Sequence, residues 1–93
     1  MLTLKSACKP QPGIVDHIVD GEAVVVLPQA GQIKVLNEVG TFIWSLLDGN
    51  RTAAEIAGHV CREYQVEPEQ SEADTLQFLR DLDARGLVQV IQP

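Results

Sequence analysis

The spacing of the apolar residues changes once along this chain, at Asn37, and this change limits the possible folds more than any other feature. Before it, short β-branched stretches are separated by turn residues, which predicts strands. After it, apolar residues recur every three or four positions, which predicts amphipathic helices. A chain of 93 residues has room for one core. The sequence therefore predicts an α+β domain with a winged-helix-like arrangement, a three-stranded antiparallel sheet followed by three helices.

The predicted strands are the β-branched stretches Ile14–Val19, Ala23–Leu27 and Gln32–Leu36. Asp20-Gly21 lies between the first two and tolerates positive φ, which suits a two-residue hairpin turn. The second strand is apolar at nearly every position, and we expect it to be covered on both faces.

The third strand, Gln32–Leu36, is expected to lie at a sheet edge, because a meander leaves its last strand paired on one side only. Side chains alternate along a strand, so Ile33 and Val35 share one face and Lys34 and Leu36 share the other. An edge strand exposes unpaired backbone groups to any partner strand.

Three helices are predicted, with the N-caps Asn37, Thr52 and Ser71. Thr52 and Glu55 have the spacing of a capping box. The expected helix ends are Gly49, about Tyr64 and Gly86.

The two ends of the chain have weaker patterns. Residues 1–12 contain Pro10 and Pro12 and have no periodicity, so we predict a flexible N-terminal tail followed by a domain at 13–93. The apolar segment Leu87–Ile91 is expected either to return to the sheet or to cover the core.

The charge balance disfavours several classes of partner. Thirteen acidic residues against seven basic ones give a net charge of -6, which repels phosphate backbones and anionic lipid. No apolar stretch approaches the roughly 20 residues of a membrane-spanning helix, and no secretion signal begins the chain. We therefore expect a cytoplasmic protein that binds neither nucleic acid nor a membrane. An acidic winged-helix regulatory or DNA-binding domain is the alternative from a different functional class.

The residues that carry chemistry are few. Cys61 and His59 lie two positions apart on one predicted helix and point in different directions, while Cys8 and His17 belong to the tail and a strand. The glycines never cluster as a phosphate-binding loop does. The sequence thus predicts neither an enzyme nor a metal or cofactor site. Trp44 has two interpretations, the floor of a partner groove or a half-buried flank of the core.

Several short motifs together resemble the PqqD-like family, also called the RiPP recognition element. They cover roughly residues 14–91 and are Asp20-Gly21, Val35-Leu36-Asn37-Glu38, Ile43 to Gly49, Arg51 to Ile56, Asp74-Thr75, Phe78-Leu79, Leu82 and Gly86-Leu87-Val88. The stretch Asn37 to Trp44 is more similar to stand-alone relatives in peptide-modification clusters than to proteins dedicated to pyrroloquinoline quinone assembly.

The resemblance implies a non-catalytic domain that binds the leader segment of a ribosomally made precursor peptide and presents it to a modifying enzyme. That partner would be a radical S-adenosylmethionine maturase or a leader peptidase. The family's ligand adds to the third strand and packs against the third helix, a form of β-augmentation. The expected peptide-binding residues are Gln32, Ile33, Lys34, Val35, Leu36, Leu76, Leu79, Arg80 and Asp83. A homodimer through the same edge strand is a further alternative.

Overall fold

The computed structural model describes residues 2–91, which form five strands, three α-helices and a short 3₁₀ helix at Pro28–Ala30. In chain order these are β1 (Ala7–Pro10), β2 (Val15–Val19), β3 (Glu22–Leu27), β4 (Gln32–Val35), α1 (Glu38–Ser45), α2 (Ala53–Tyr64), α3 (Pro68–Ala84) and β5 (Val88–Ile91). The predicted α+β class is confirmed. Met1, Gln92 and Pro93 lie outside the described residues, so the outer limits of the predicted tail and domain are not described.

The strands β2, β3 and β4 form an antiparallel sheet in that order. The hairpin between β2 and β3 turns at Asp20 and Gly21, whose φ angles are 52° and 81°. Positive φ at both central residues gives a turn whose twist matches that of the strands, so the predicted turn is confirmed. Within residues 2–91, β4 pairs with β3 alone and therefore lies at the sheet edge, as predicted.

This sheet has a core face and an open face. Ala23, Val25 and Leu27 of β3 face the core and are at most 5% exposed. Val24 and Val26 point the other way and are only half-buried, because their neighbours on that face of β2 and β4 are open to solvent. The prediction that this strand is covered on both faces is therefore wrong for the open face.

The predicted caps of the first two helices are confirmed. The Gly40 N–H donates to Oδ1 of Asn37 at 2.8 Å. Thr52 and Glu55 form a capping box. The Thr52 N–H donates to Oε1 of Glu55 at 2.8 Å, and the Glu55 N–H donates to Oγ1 of Thr52 at 3.2 Å. These bonds satisfy N–H groups that have no partner within the first turn of a helix.

The predicted end of the first helix is wrong by one turn. α1 ends at Ser45 rather than at Gly49. The Leu46 N–H donates to the carbonyl of Ile43, three residues back, at 3.0 Å, which tightens the last turn and takes the chain out of the helix.

The predicted start of the third helix is also wrong. α3 begins at Pro68, because proline is tolerated in a first turn, where an N–H would have no helical partner. Ser71, the predicted N-cap, lies inside α3 and is buried. Its Oγ donates to the carbonyl of Ala57 at 2.7 Å and so joins α3 to α2.

The segment predicted to be a flexible tail is packed onto the domain instead. β1 pairs with β5 in a separate two-stranded sheet, and Leu2 and Cys8 are 3% and 1% exposed. The carbonyls of Leu4 and Ser6 accept N–H groups from the first turn of α2, at 2.9 and 2.8 Å. These bonds replace helix partners that the first turn lacks.

The C-terminal segment covers the core rather than joining the three-stranded sheet. Leu87 is fully buried and Val88 is 3% exposed. Of the two alternatives for Leu87–Ile91, covering the core is therefore correct.

The core lies between β3, the three helices and the two-stranded sheet. Its largest buried side chains include Leu36, Ile56, Leu79, Leu82 and Leu87. Trp44 belongs to it at 6% exposure, and its Nε1 donates to Oδ2 of Asp16 at 2.8 Å. Trp44 is therefore a core residue whose indole N–H bonds to protein, and neither predicted interpretation describes it correctly.

Candidate functional site

The free edge of β4 presents backbone groups that β3 does not use. In an antiparallel ladder, successive residues direct their N–H and C=O groups alternately toward the partner and away from it. The Leu36 N–H donates to the carbonyl of Ala23 at 2.8 Å, which sets the phase of the ladder. Lys34 accordingly faces β3 with its backbone groups, while those of Ile33 and Val35 point away. The free edge thus offers two donors and two acceptors.

The side chains of the predicted third strand divide between the two faces as expected. Ile33 and Val35 lie on the open face and are 62% and 60% exposed. Gln32 and Lys34 are half-buried, and Leu36 is 1% exposed within the core. The strand therefore combines an open backbone edge with side chains directed toward α3.

One stripe of α3 lies beside this edge. Asp74, Phe78, Asp81 and Arg85 are spaced by four, three and four residues, so they share one helix face. Nζ of Lys34 lies 3.5 Å from Oδ2 of Asp81, and Nε of Arg85 donates to the same oxygen at 3.1 Å. All three side chains are partly exposed, so water and salt screen these ion pairs. The pairs nevertheless join β4 to α3 across the space between them.

We call this space the β4–α3 groove, and it is bounded by Lys34, Val35, Leu36, Phe78 and Asp81. Phe78 and Asn37 line a pocket at the groove, and both residues also line a second pocket of about 340 Å³ between α1 and α3. The ring of Phe78 packs against Gly40 of α1, where a Cβ would lie only 2.9 Å from its Cε1 atom. The groove thus has an apolar wall between two cavities that could each receive a side chain.

Three of the predicted α3 site residues lie on a different stripe of the helix. Arg80 donates from Nε and Nη2 to the carbonyl of Leu2, at 3.4 and 3.2 Å. Asp83 is near Cys8, where burial first and the Asp83 carboxylate second raise the thiol pKa to about 11. Leu76 is half-buried on the same stripe, spaced four and seven residues from the other two. The structure therefore places these side chains beside the N-terminal segment rather than beside β4.

The sequence interpretation missed Phe78 and Asp81 as groove residues. Leu79 was also predicted as a site residue, but it is 1% exposed and belongs to the core. Its position therefore does not indicate which side of α3 faces β4. At about 100° per residue, Leu76 lies roughly 200° from Phe78 and faces away from it. The sequence signal that could have identified these groove residues is the helix face shared by Asp74, Phe78 and Asp81, together with Lys34 on the edge strand.

Within residues 2–91, no group of three or more His, Cys, Asp and Glu side chains is placed to hold a metal ion. In the same part of the chain, no helix has the length and apolarity needed to cross a membrane. What the groove offers chemically is backbone hydrogen bonding, apolar contact and one cluster of charges.

Comparisons with known proteins place this geometry in context. A solved structure described as TbiB1 in complex with the TbiA(beta) leader peptide is 34% identical, covers 87% of this chain and 94% of that one, and has a TM-score of 0.79. Lasso peptide synthetase B1 complexed with the leader peptide is 23% identical over 88% and 96% of the two chains, with a TM-score of 0.79. A search of curated proteins found no match.

The third solved structure is the PqqD truncation of Methylobacterium extorquens PqqCD, described as a functional and stand-alone RiPP recognition element. It is 20% identical, covers 96% of this chain and 95% of that one, and has a TM-score of 0.80, which shows the shared fold. A family model described as coenzyme PQQ synthesis protein D (PqqD) matches residues 22–88, a span that contains both β4 and α3. The resemblance of the sequence motifs is thereby confirmed, and the chain belongs to the PqqD family.

Proposed function

We propose that this chain binds the leader segment of a ribosomally synthesised precursor peptide as an added strand on β4 and presents it to a modifying enzyme. The observation that carries the proposal is the free edge of β4 lying beside α3, with the backbone groups of Ile33 and Val35 directed outward. The chain would act in the cytoplasm, where such precursors are made.

Backbone pairing supplies the part of the affinity that depends little on peptide sequence. The two outward donors and two outward acceptors of β4 allow four hydrogen bonds to an added strand. At about 0.5 to 1.5 kcal/mol net for each bond, the edge contributes roughly 2 to 6 kcal/mol before the cost of ordering the peptide.

Side chains supply the selectivity. Alternate side chains of an added strand face the same way as Lys34 and so enter the β4–α3 groove. There they meet Phe78, the cavities beside it and the charged end of the groove at Asp81. The remaining side chains of the peptide continue the open face formed by Ile33 and Val35.

The other edge of the sheet is a poorer site. Every residue of β2 is exposed, and the contact of that strand with α1 runs through Asp16 and the indole of Trp44. A peptide on β2 would gain backbone bonds, but the two pockets lined by Phe78 lie on the side of β4. β4 offers both the backbone bonds and the pockets.

The related structures support the same assignment. TbiB1, 34% identical to this chain, was solved with a leader peptide, and so was lasso peptide synthetase B1. We propose that this chain is non-catalytic, needs no cofactor, and works with a separate radical S-adenosylmethionine maturase or leader peptidase.

The negative charge of α3 disfavours the DNA-binding alternative. The helix carries Glu69, Glu72, Asp74, Asp81 and Asp83 against Arg80 and the C-cap residue Arg85. The guanidinium of Arg80 already bonds to the carbonyl of Leu2, and that of Arg85 bonds to Asp81. A helix of this charge would be repelled by the phosphates beside a DNA groove. Retention on DNA at low salt that falls steeply as salt rises would contradict our proposal.

The test of the proposal is a titration of ¹⁵N-labelled protein with the TbiA(beta) leader peptide and with leader segments of short peptides encoded near its gene. We expect 1:1 binding that shifts the amide signals of Gln32 to Leu36 and of Phe78 to Asp81. Shifts confined to α2 or to β2 would refute the assignment of the site. Sedimentation with and without peptide separates peptide binding from a homodimer through β4, because the two would compete for one edge.

A further inference from the structure

We infer that the charged cluster of Lys34, Asp81 and Arg85 selects an acidic side chain at one position of the bound peptide, the residue opposite Lys34. This inference rests on the proposed function, since it concerns a strand paired with β4. It assigns the cluster a role in choosing peptides rather than in holding the fold together.

The position of Lys34 on β4 is the first reason. Its backbone groups face β3, so an antiparallel strand on the free edge would pair with it at a non-hydrogen-bonded site. At such sites the two Cα atoms lie about 4.5 Å apart, and the side chains are closer than at hydrogen-bonded sites. The opposing side chain therefore points with Lys34 toward α3, into the space where the ion pair lies.

The balance of charge at this place is the second reason. The chain as a whole has a net charge of -6, but here two cations, Lys34 and Arg85, share one carboxylate, that of Asp81. An incoming carboxylate can bind Lys34 while Asp81 keeps its 3.1 Å bond to Arg85. A basic side chain would meet two cations, and an apolar one would cover partly solvated charges without giving them a partner.

The weakness of the internal pair is the third reason. The Lys34 to Asp81 distance is 3.5 Å, and the two side chains are 30% and 44% exposed. Exposed pairs of this kind contribute little to folding, so Lys34 can exchange one carboxylate for another at small cost. Asp81 is therefore a competitor for Lys34, which the peptide must displace.

A displayed library of random 12-residue peptides tests this inference. The native chain should enrich Asp and Glu roughly tenfold over neutral residues at one inward-facing position. Lys34→Glu should replace this preference by Lys and Arg at the same position. Asp81→Asn should strengthen the acidic preference because it removes the competitor. Lys9→Glu on β1 makes the same charge change away from the groove and should leave the preference unchanged.

Each other outcome counts against the inference. It is overturned if native protein shows no charge preference, if Lys34→Glu keeps the acidic preference, or if Asp81→Asn lowers it as loss of a structural ion pair would. In these cases enrichment by the native chain still shows that it binds peptides, so the proposed function survives. If the native chain retains no peptide at all, the proposed function and this inference fall together.

Discussion

Replacing Val35 by proline removes one outward donor of β4 and leaves the pairing of β4 with β3 intact. The Val35 N–H points away from β3, and proline is tolerated in an edge strand where the missing N–H faces solvent. Lys34, the residue before it, is already extended, as a residue preceding proline prefers to be. We therefore expect Val35→Pro to fold with nearly native stability.

The loss of peptide affinity follows from the same geometry. One carbonyl of the peptide would face the proline ring without a donor, and such an unsatisfied group costs about 1 to 3 kcal/mol. At 1.4 kcal/mol for each factor of ten, Kd should rise by roughly 5-fold to 150-fold. The proline ring also projects toward the peptide strand, and this steric clash lowers the affinity further.

Fluorescence anisotropy with a labelled leader peptide measures this change, and Ile18→Pro is the matched control. Ile18 is 64% exposed on β2, the other edge of the same sheet, and the hairpin register turns its N–H outward as well. We expect Ile18→Pro to bind like the native chain. Equal affinity of Val35→Pro and the native chain, or an equal loss in both variants, would refute binding on β4.

Further predictions concern packing and the buried thiol. Gly40→Ala should weaken peptide binding and destabilise the domain by about 1 to 2 kcal/mol in thermal denaturation, because the new Cβ must displace the ring of Phe78. Gly58→Ala, whose Cβ would have ordinary contacts, should instead stabilise α2 by about 0.5 to 1 kcal/mol, and a loss there would contradict the packing argument. Cys8 should react with thiol reagents far more slowly than Cys61 at pH 8, since burial raises its pKa to about 11. The same shift predicts that stability falls as the pH rises from about 9 to 11, where the unfolded thiol ionises and the folded one does not; a flat profile would contradict it.

The features that local chemistry determines were predictable from the sequence. Asp20-Gly21 requires only positive φ at two positions, and the turn forms there. The caps at Asn37 and Thr52 depend on side chains that bond within three residues. The alternation of Ile33 and Lys34 follows from strand geometry alone.

The features that depend on distant partners were not predictable in the same way. β1 is four residues long, contains Pro10 and is ordered by β5, which lies at the other end of the chain. The sequence alone carries no periodicity that would reveal such a pairing. Ser71 was predicted to be a cap because serine is a common N-cap residue. Its actual bond to Ala57 connects two helices and leaves no signal in the local sequence.

For the same reason, the strand of the candidate site was predictable from the sequence and its helix face was not. The edge strand Gln32–Leu36 follows from the order of the strands, whereas the helix face that meets it depends on how α3 is rotated in the fold. Leu76 and Phe78 are both apolar residues of one helix, and their sequence positions do not reveal which one faces β4. In the structure, the 3.5 Å contact of Lys34 with Asp81 shows that α3 is rotated so that Phe78 lines the groove.

Amide hydrogen exchange, residue by residue, tests the central claim that β4 receives the leader peptide as a strand. In the free chain, Ile33 and Val35 should exchange much faster than Lys34, whose N–H faces β3. At a peptide concentration 100 times Kd, the account predicts that exchange at Ile33 and Val35 slows by roughly 100-fold. Saturating peptide that leaves both rates unchanged, or that protects Ile18 on β2 instead, would contradict the account.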